Sequence, residues 1–243
     1  MPNVDPAQGL AARFADVKAR LEAVAKGCGR SPDDIRLIAI SKTHPARLIS
    51  SLIELGATDL GENRVQEAEE KIPQVGRARA RWHLVGHLQA NKARRALPLF
   101  DVIHSLDSVE LARRLDRLCD EAGRQSVSVL VQVDLAHEQT KSGIDEQELP
   151  QLAEAVQRLE RLELIGLMTL PPFFDDPKQA RPYFRRLREL RDQLASSGSF
   201  GQHRGELSMG MTHDFAVAIE EGATMVRVGT AIFGEREQPQ KGA

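Results

Sequence analysis

The chain has 243 residues, 41% of them hydrophobic, which is enough for one well-filled core. Its 33 basic and 35 acidic residues leave a net charge of −2, which excludes a generally basic, nucleic-acid-coating surface. No apolar run approaches the roughly 20 residues that cross a bilayer, and the first residues lack the pattern of a secretory signal. Cys28 and Cys119 form no CxxC motif, so we expect neither a disulfide scaffold nor a structural zinc site. We therefore expect a cytoplasmic protein without membrane or nucleic-acid partners.

The first predicted elements are a helix and a buried strand. Apolar residues recur every three or four positions, as on one face of a helix, at Leu10, Phe14, Val17, Leu21 and Val24. We therefore expect an N-terminal helix within residues 1–30. The run IRLIAIS (35–41) is apolar and β-branched, as in a strand buried on both faces. A helix over 47–56 follows, with Pro45 before it and Gly56 at its end.

The same alternation of strand and helix continues to the end of the chain. Further strands are predicted at 57–61, 81–86, 101–106, 126–135, 162–170, 205–210 and 224–229, and the clearest later helices at 111–118, 149–159 and 184–194. Eight strands alternating with helices within about 250 residues predict a (β/α)₈ barrel. A doubly wound sheet is disfavoured because no GxGxxG follows the first strand. We expect one domain over 1–243, with residues 235–243 as a frayed tail.

Lys42 directly follows the first predicted strand. In a (β/α)₈ barrel the carboxyl ends of the strands hold the chemistry. An ammonium desolvated there has a lowered pKa and becomes an amine that attacks a carbonyl carbon. The alternative is a lysine that extends to solvent along its alkyl chain.

The last two units suggest an anion site. Gly229 and Thr230 are predicted to begin a helical turn, where N–H groups and a hydroxyl face an anion. Ser208, Gly210 and Thr212 supply similar groups from the neighbouring loop, and barrels often bind phosphate after strands seven and eight. The alternative is that the glycines serve close packing.

Arg227 lies within the last strand, among apolar residues. Alternation places its side chain opposite those of Val226 and Val228, toward the barrel interior. A buried arginine needs an acceptor, which a salt bridge, a phosphate or a ring nitrogen could supply. A lysine, two phosphate loops and an interior arginine together suggest pyridoxal 5′-phosphate (PLP), which carries an aldehyde, a phosphate and a ring nitrogen.

The chain also resembles a known family over nearly its whole length. The matching segments are SKTHPA (41–46), GENRVQE (61–67), WHLVGHLQANK (82–92), HSLDS (104–108), KSGI (141–144), GLMTL (166–170), LSMGMTHDF (207–215) and RVGTAIFG (227–234). On these it resembles the pyridoxal phosphate homeostasis proteins, relatives of the barrel domain of alanine racemase. Thr212 stands where the family often has serine, which keeps the hydroxyl.

The resemblance implies a role for each of six residues. Lys42 would hold PLP as a Schiff base and Arg227 would face its pyridine nitrogen. Ser208, Gly229 and Thr230 would hold the phosphate, and Asn63 would line the pocket. The implied function is PLP and amino-acid homeostasis, with PLP-dependent apo-enzymes as recipients.

We expect no strong catalytic turnover. A protonated arginine donates to the pyridine nitrogen without readily protonating it, which leaves the ring a poorer electron sink. Racemases of this fold add a base from a second domain, whereas the single tyrosine here, Tyr183, lies in a predicted helix. The alternatives are a PLP-dependent racemase-type enzyme, and a Schiff-base aldolase or cofactor-free scaffold.

The remaining residues predict no further site. His83 and His87 lie four apart, and the strand-like stretch WHLVG (82–86) would separate them by roughly 13 Å, which is too far to share a metal. We therefore expect no metal. No helix shows an exposed apolar stripe that would force assembly, so we expect a monomer or a weak dimer.

Overall fold

The computed structural model describes residues 6–137 and 142–234. Eight parallel strands follow one another around a closed barrel, and β1 pairs with β8 to complete it. This confirms the predicted eight-stranded barrel. The strands are β1 (Arg36–Ile40), β2 (Asp59–Glu62), β3 (Arg81–Leu84), β4 (Val102–Leu106), β5 (Val127–Gln132), β6 (Leu162–Met168), β7 (Glu206–Met211) and β8 (Met225–Val228).

Helices surround the barrel and connect its strands. They are α1 (Pro6–Gly27), α2 (Ala46–Glu54), α3 (Val65–Val75), α4 (Ala93–Ala96), α5 (Val109–Glu121), α6 (Leu149–Gln157), α7 (Arg181–Ser196), α8 (Phe215–Glu220) and α9 (Thr230–Phe233). The five helices predicted from apolar spacing are confirmed as α1, α2, α5, α6 and α7. No helix in the described part of the chain is long and apolar enough to cross a membrane.

The strands bury both faces, as their apolar runs predict. Residues that face outward, such as Leu60 and Trp82, pack under the helices in the larger core. Residues that face inward form a smaller apolar cluster, which includes Ile38, Val102 and Met225. Each fully buried aliphatic side chain contributes about 1.5–3 kcal/mol. The rest of the interior is polar, which sets this barrel apart from one filled by branched apolar residues.

Helix α1 covers the junction between the first and last strands. Its apolar face is buried against α8 and α9. Arg13 donates hydrogen bonds to the carbonyl oxygens of Ile232, at 2.8 Å, and Phe233, at 3.2 Å. The predicted N-terminal helix is thereby confirmed, and it ends at Gly27. The tail predicted for residues 235–243 and Lys141 of the KSGI segment lie outside the described residues.

Candidate functional site

A cavity of about 650 Å³ opens at the carboxyl ends of the strands. Its volume is typical of small-molecule sites. Polar residues line one part of it: Lys42, Asn63, Thr212, His213, Arg227 and Thr230. The rest of the lining is Gly229 and the apolar residues Ile40, Val85, Leu170, Pro171, Phe173 and Met211. Five of the six predicted site residues therefore share one cavity, and Ser208 is not among its lining residues.

Lys42 reaches the cavity because of strand alternation. Ile38 and Ile40 of β1 point into the barrel, so the next inward position beyond the strand end is Lys42. Its side chain is half-buried and lines the cavity, which confirms its predicted location.

The loop around Lys42 is held from outside the barrel by a buried charge cluster. Lys71 of α3 donates to the Ser41 carbonyl oxygen at 2.9 Å and to Glu62 Oε1 at 3.0 Å. It also donates to Glu67 Oε2 at 2.9 Å, and the same oxygen accepts the Thr43 N–H at 2.9 Å. Thr43 adopts φ 68°, a conformation that costs a non-glycine residue on the order of 1 kcal/mol. The cluster therefore holds the chain on both sides of Lys42.

The pKa values of the two carboxylates in this cluster are shifted in opposite directions. Burial raises the pKa of Glu62 above its ordinary value, and the charge of Lys71 opposes this only in part. Glu62 Oε2 is buried without a hydrogen-bond partner among the described residues. The charged form of Glu62 is therefore incompletely stabilised, in agreement with its raised pKa. For Glu67, burial acts upward, but the Thr43 N–H and Lys71 together lower its pKa.

Asn63 follows β2 and lies against the end of β3. A Cβ at Gly86 would come within 2.2 Å of the Asn63 carbonyl oxygen. The two segments can therefore meet only because position 86 is glycine. This contact places Asn63 beside Val85 in the cavity lining.

Arg227 lies at the inner end of the cavity and is only 4% exposed. Its Nη1 donates to Ser208 Oγ at 2.6 Å and its Nη2 to the Thr169 carbonyl oxygen at 2.9 Å. Burial lowers its pKa to about 10, and the charge of Asp214 opposes the shift. The guanidinium is therefore still protonated at neutral pH, and the inward orientation predicted from alternation is confirmed.

Ser208 lies beneath Arg227 and not at the cavity surface. Its side chain is fully buried, and its hydroxyl lies 2.6 Å from Arg227 Nη1 and 2.9 Å from His104 Nδ1. The resemblance assigns this hydroxyl to a phosphate, whereas in the structure it hydrogen-bonds with Arg227 and His104. Within the segment LSMGMTHDF (207–215), Thr212 is the hydroxyl residue that lines the cavity.

Gly229 and Thr230 form the edge of the cavity at the start of α9. A Cβ at Gly229 would lie 3.3 Å from the Ile40 carbonyl oxygen, so glycine keeps this turn against β1. The ring of Phe233 in α9 stacks on that of His44, with centroids 4.6 Å apart. The loops after β1 and β8 are thus held together at the site.

The cavity rim contains residues that were not predicted from the sequence. Phe173 is 77% exposed, and its ring lies 5.3 Å from that of His213. His213 Nε2 lies 3.1 Å from the Asp175 carbonyl oxygen. The signal for this rim was the apolar run PPFF (171–174), which directly follows the end of a predicted strand.

The two histidines considered as metal ligands lie in different surroundings. His83 is buried inside the barrel, whereas β3 ends at Leu84 and His87 lies beyond it, 46% exposed and 3.1 Å from Asp107. The strand predicted at 81–86 is observed as β3, and His87 lies outside both ranges. Among the described residues, no group of three or more His, Cys, Asp or Glu is arranged to hold a metal ion.

The barrel and its carboxyl-end site match known proteins over most of the chain. Residues 14–237 match the family described as alanine racemase, N-terminal domain. A pyridoxal phosphate homeostasis protein of Aquifex aeolicus is 40% identical over 227 residues, covering 93% of this chain and 97% of that protein. One of Escherichia coli is 40% identical over 238 residues, covering 96% and 99%.

A solved structure matches closely as well. It is PipY of Synechococcus elongatus with PLP bound, with a TM-score of 0.78 and 38% identity, covering 93% of this chain and 100% of that one. The fold is that of the alanine racemase N-terminal domain. The chain belongs to the family of pyridoxal phosphate homeostasis proteins.

Proposed function

We propose that this protein binds PLP through Lys42 and serves PLP and amino-acid homeostasis without strong catalytic turnover. The observation that carries the proposal is that Lys42 and the buried, protonated Arg227 line one cavity. The relatives from Aquifex aeolicus and Escherichia coli are named for PLP homeostasis, and the PipY structure contains PLP.

The groups in the cavity fit the chemistry of PLP. Lys42 would hold PLP through its amine, which is the group that reacts with an aldehyde. Arg227 would donate a hydrogen bond to the pyridine nitrogen. PLP supplies an aldehyde and an electron-withdrawing ring when it is bound.

The phosphate end fits the edge formed after β7 and β8. Thr212 and Thr230 supply hydroxyls there, and the first turn of α9 supplies main-chain N–H groups. Gly229 allows close approach of the backbone. We assign the phosphate to these residues and propose that Ser208 serves the pocket through Arg227, which faces the ring nitrogen and not the phosphate. Asn63 lines the opposite side of the pocket.

The absence of strong turnover follows from Arg227 and from the placement of the bases. Arg227 would donate a hydrogen bond and keep its proton, which would leave the ring nitrogen of PLP unprotonated and the ring a weaker electron sink. Tyr183 lies on α7 beside Phe174, with ring centroids 6.0 Å apart, and is not among the lining residues. A racemase also needs a base on the second face of the substrate.

His213 lines the cavity and is the residue through which the racemase alternative can be tested. His213 is a titratable side chain on the rim, held by the Asp175 carbonyl oxygen. We expect negligible exchange of amino-acid α-protons in deuterated water with the PLP-loaded protein. Exchange that His213→Asn abolishes would instead identify a racemase-type enzyme.

We further propose that residues 1–243 form one domain, that the protein is a cytoplasmic monomer or weak dimer, and that PLP-dependent apo-enzymes receive its cofactor. Cys28 and Cys119 are both free thiols, which suits a reducing compartment. Cell fractionation tests the compartment and light scattering the oligomeric state. Reactivation of an apo-enzyme by the loaded protein, measured with a trap for free PLP, tests transfer.

The decisive experiment is an absorption spectrum of the PLP-treated wild type beside Lys42→Ala, followed by borohydride reduction and peptide mapping. We expect a visible band in the wild type, its loss in Lys42→Ala, and a pyridoxyl group on Lys42. Lys26→Ala, which removes an exposed lysine paired with Glu22, is the matched control and should keep the band. A wild type that binds no PLP would overturn the proposal.

A further inference from the structure

A continuous line of hydrogen bonds crosses the barrel interior and ends at Arg227. Asp59 Oδ1 lies 2.9 Å from His83 Nε2, and His83 Nδ1 lies 2.9 Å from His104 Nε2. His104 Nδ1 lies 2.9 Å from Ser208 Oγ, which lies 2.6 Å from Arg227 Nη1. We call these five residues the interior relay. None is more than 7% exposed.

The two ends of the interior relay determine its direction. Arg227 is a guanidinium and only donates, whereas a carboxylate only accepts. Burial acts to raise the pKa of Asp59, but its contacts with His83, Thr58 and Arg36 lower it below the ordinary value. Asp59 is therefore ionised at neutral pH, and a proton donor must face it.

Both imidazoles between these ends are neutral. Burial lowers the pKa of His83, and it lowers that of His104 strongly, with the charge of Arg227 acting in the same direction. A neutral imidazole has one donor and one acceptor nitrogen.

One arrangement of protons then satisfies every contact. His83 donates from Nε2 to Asp59, so its Nδ1 accepts from His104 Nε2. The Nδ1 atom of His104 accepts from the Ser208 hydroxyl. That leaves a Ser208 lone pair to accept from Arg227, and all the hydrogen bonds point from Arg227 toward Asp59.

We propose that Asp59, His83, His104 and Ser208 are positioning residues that hold the Arg227 guanidinium in a fixed orientation toward the ligand of the cavity. The Ser208 oxygen and the Thr169 carbonyl oxygen each hold one amino group of Arg227. The remaining guanidinium N–H groups are then directed at an acceptor in the cavity. If the ligand is PLP, the acceptor is its ring nitrogen, and in that form the proposal rests on the proposed function.

The placement of the interior relay supports this role over simple filling of the barrel. Its residues come from β2, β3, β4, β7 and β8 and replace apolar side chains in the barrel interior. Buried polar groups stabilise a fold less well than apolar packing unless every one is satisfied. The interior relay satisfies them, and it runs from a second cavity of about 530 Å³, lined by Asp59, to the one lined by Arg227.

The first test uses imidazole ¹⁵N NMR on the full-length chain, with and without PLP. His83→Asn and His104→Asn assign the signals. We expect both rings neutral at pH 7, each with its proton on Nε2. A proton on Nδ1 of either ring, or a charged ring, would overturn the proposed direction. This result does not depend on whether the chain binds PLP.

The second test removes single members of the interior relay and measures PLP affinity and the absorption maximum. Ser208→Ala and His104→Phe should each weaken binding about tenfold and shift the maximum. His104→Asn keeps an acceptor near Ser208 and should recover part of both changes. Thr224→Val removes a buried hydroxyl that accepts from Leu207 N–H at 2.8 Å, outside the interior relay, and is the matched control.

The outcomes of the two tests separate the two proposals. Folded Ser208→Ala and His104→Phe proteins with wild-type affinity and spectrum would overturn the positioning role. A wild type that binds no PLP would overturn the proposed function, while the NMR result still decides the direction of the interior relay. Thermal unfolding of each variant, read against Thr224→Val, separates a loss of positioning from a general loss of stability.

Discussion

The ammonium of Lys71 lies 2.9 Å from the main-chain carbonyl oxygen of Ser41, so a lysine of α3 holds the end of the strand that precedes Lys42. The Lys71 side chain is only 12% exposed and the Glu62 side chain beside it is fully buried. The position of Lys42 therefore depends on a charge cluster outside the barrel.

Replacement of Lys71 should damage both stability and the site. Lys71→Met removes the counter-charge of buried Glu62, and the loss of one partner of a buried pair costs about 3 kcal/mol. It also releases the Ser41 and Glu67 contacts, so PLP binding should weaken. Urea unfolding and PLP titration measure the two effects. Adding Glu62→Gln should restore part of the stability, and Lys26→Ala should change little.

Arg227→Ala should weaken PLP binding by about 10- to 100-fold, because a hydrogen bond to a charged group contributes about 1.5–3 kcal/mol. Arg227→Lys should restore little, since an ammonium does not reproduce the two directed contacts to Ser208 and Thr169. Fluorescence titration gives the affinities. Arg186→Ala, on α7 away from the cavity, is the control. Equal affinity of Arg227→Ala and Arg186→Ala would contradict the assigned role of Arg227.

Gly86→Ala should strongly destabilise the protein. The new Cβ would lie 2.2 Å from the Asn63 carbonyl oxygen, so the main chain after β2 or β3 must move. We expect a loss of about 2–3 kcal/mol in urea unfolding, typical of overpacking. Gly27→Ala has no atom within 4 Å of its new Cβ and is the matched control, with stability close to that of the wild type. A small effect of Gly86→Ala would show that the main chain at Asn63 can move away from the new Cβ at little cost, and would contradict the prediction.

Stability should fall as the pH drops below about 6.5. The folded-state pKa values of His83 and His104 lie below the ordinary value of 6.5, so the unfolded chain takes up protons first. Each histidine then lowers the free energy of unfolding by up to about 1.4 kcal/mol per pH unit, until the pH reaches its folded-state pKa. The permanent charges that act on His104 are those of Arg227, Arg81 and Arg36, and His83 adds a charge only once it is itself protonated.

The contribution of Glu62 to stability has the opposite pH dependence. Because its folded-state pKa lies above its ordinary value of 4.5, its contribution is present below pH 4.5 and is lost as the pH rises through the folded-state value. Urea unfolding between pH 5 and 8 should show a slope that His104→Asn reduces. The exposed His203 provides the control His203→Asn, which should keep the wild-type slope. Equal slopes in both variants would contradict the prediction.

Local pattern was enough to predict the barrel and the locations of Lys42 and Arg227. Both depend on short-range rules, namely apolar runs for buried strands and alternation for side-chain direction. Helix α3 was harder to recognise, because its buried face contains Ala68 and Pro73 lies within its last turn. The contact of Lys71, on that helix, with the Ser41 carbonyl oxygen could therefore not be predicted from the sequence.

The interior relay could not be predicted, because its members meet only when the barrel closes. Asp59 and His83 are 24 positions apart, and His104 and Ser208 are 104 apart. Each looks unremarkable within its own strand. Ser208 shows the same limit, since its motif assigns it to a phosphate and its hydroxyl lies between His104 and Arg227.

The pairing of β1 with β8 brings Ile38 into register with Arg227, so the first and last strands of the barrel both border the cofactor pocket. A ribosome must therefore complete β8 before Lys42 and Arg227 can share a ligand. A nascent chain that ends before Met225 has the lysine without the arginine and an open edge in place of the closed sheet. The cavity is therefore complete only in a chain whose last strand has paired with its first.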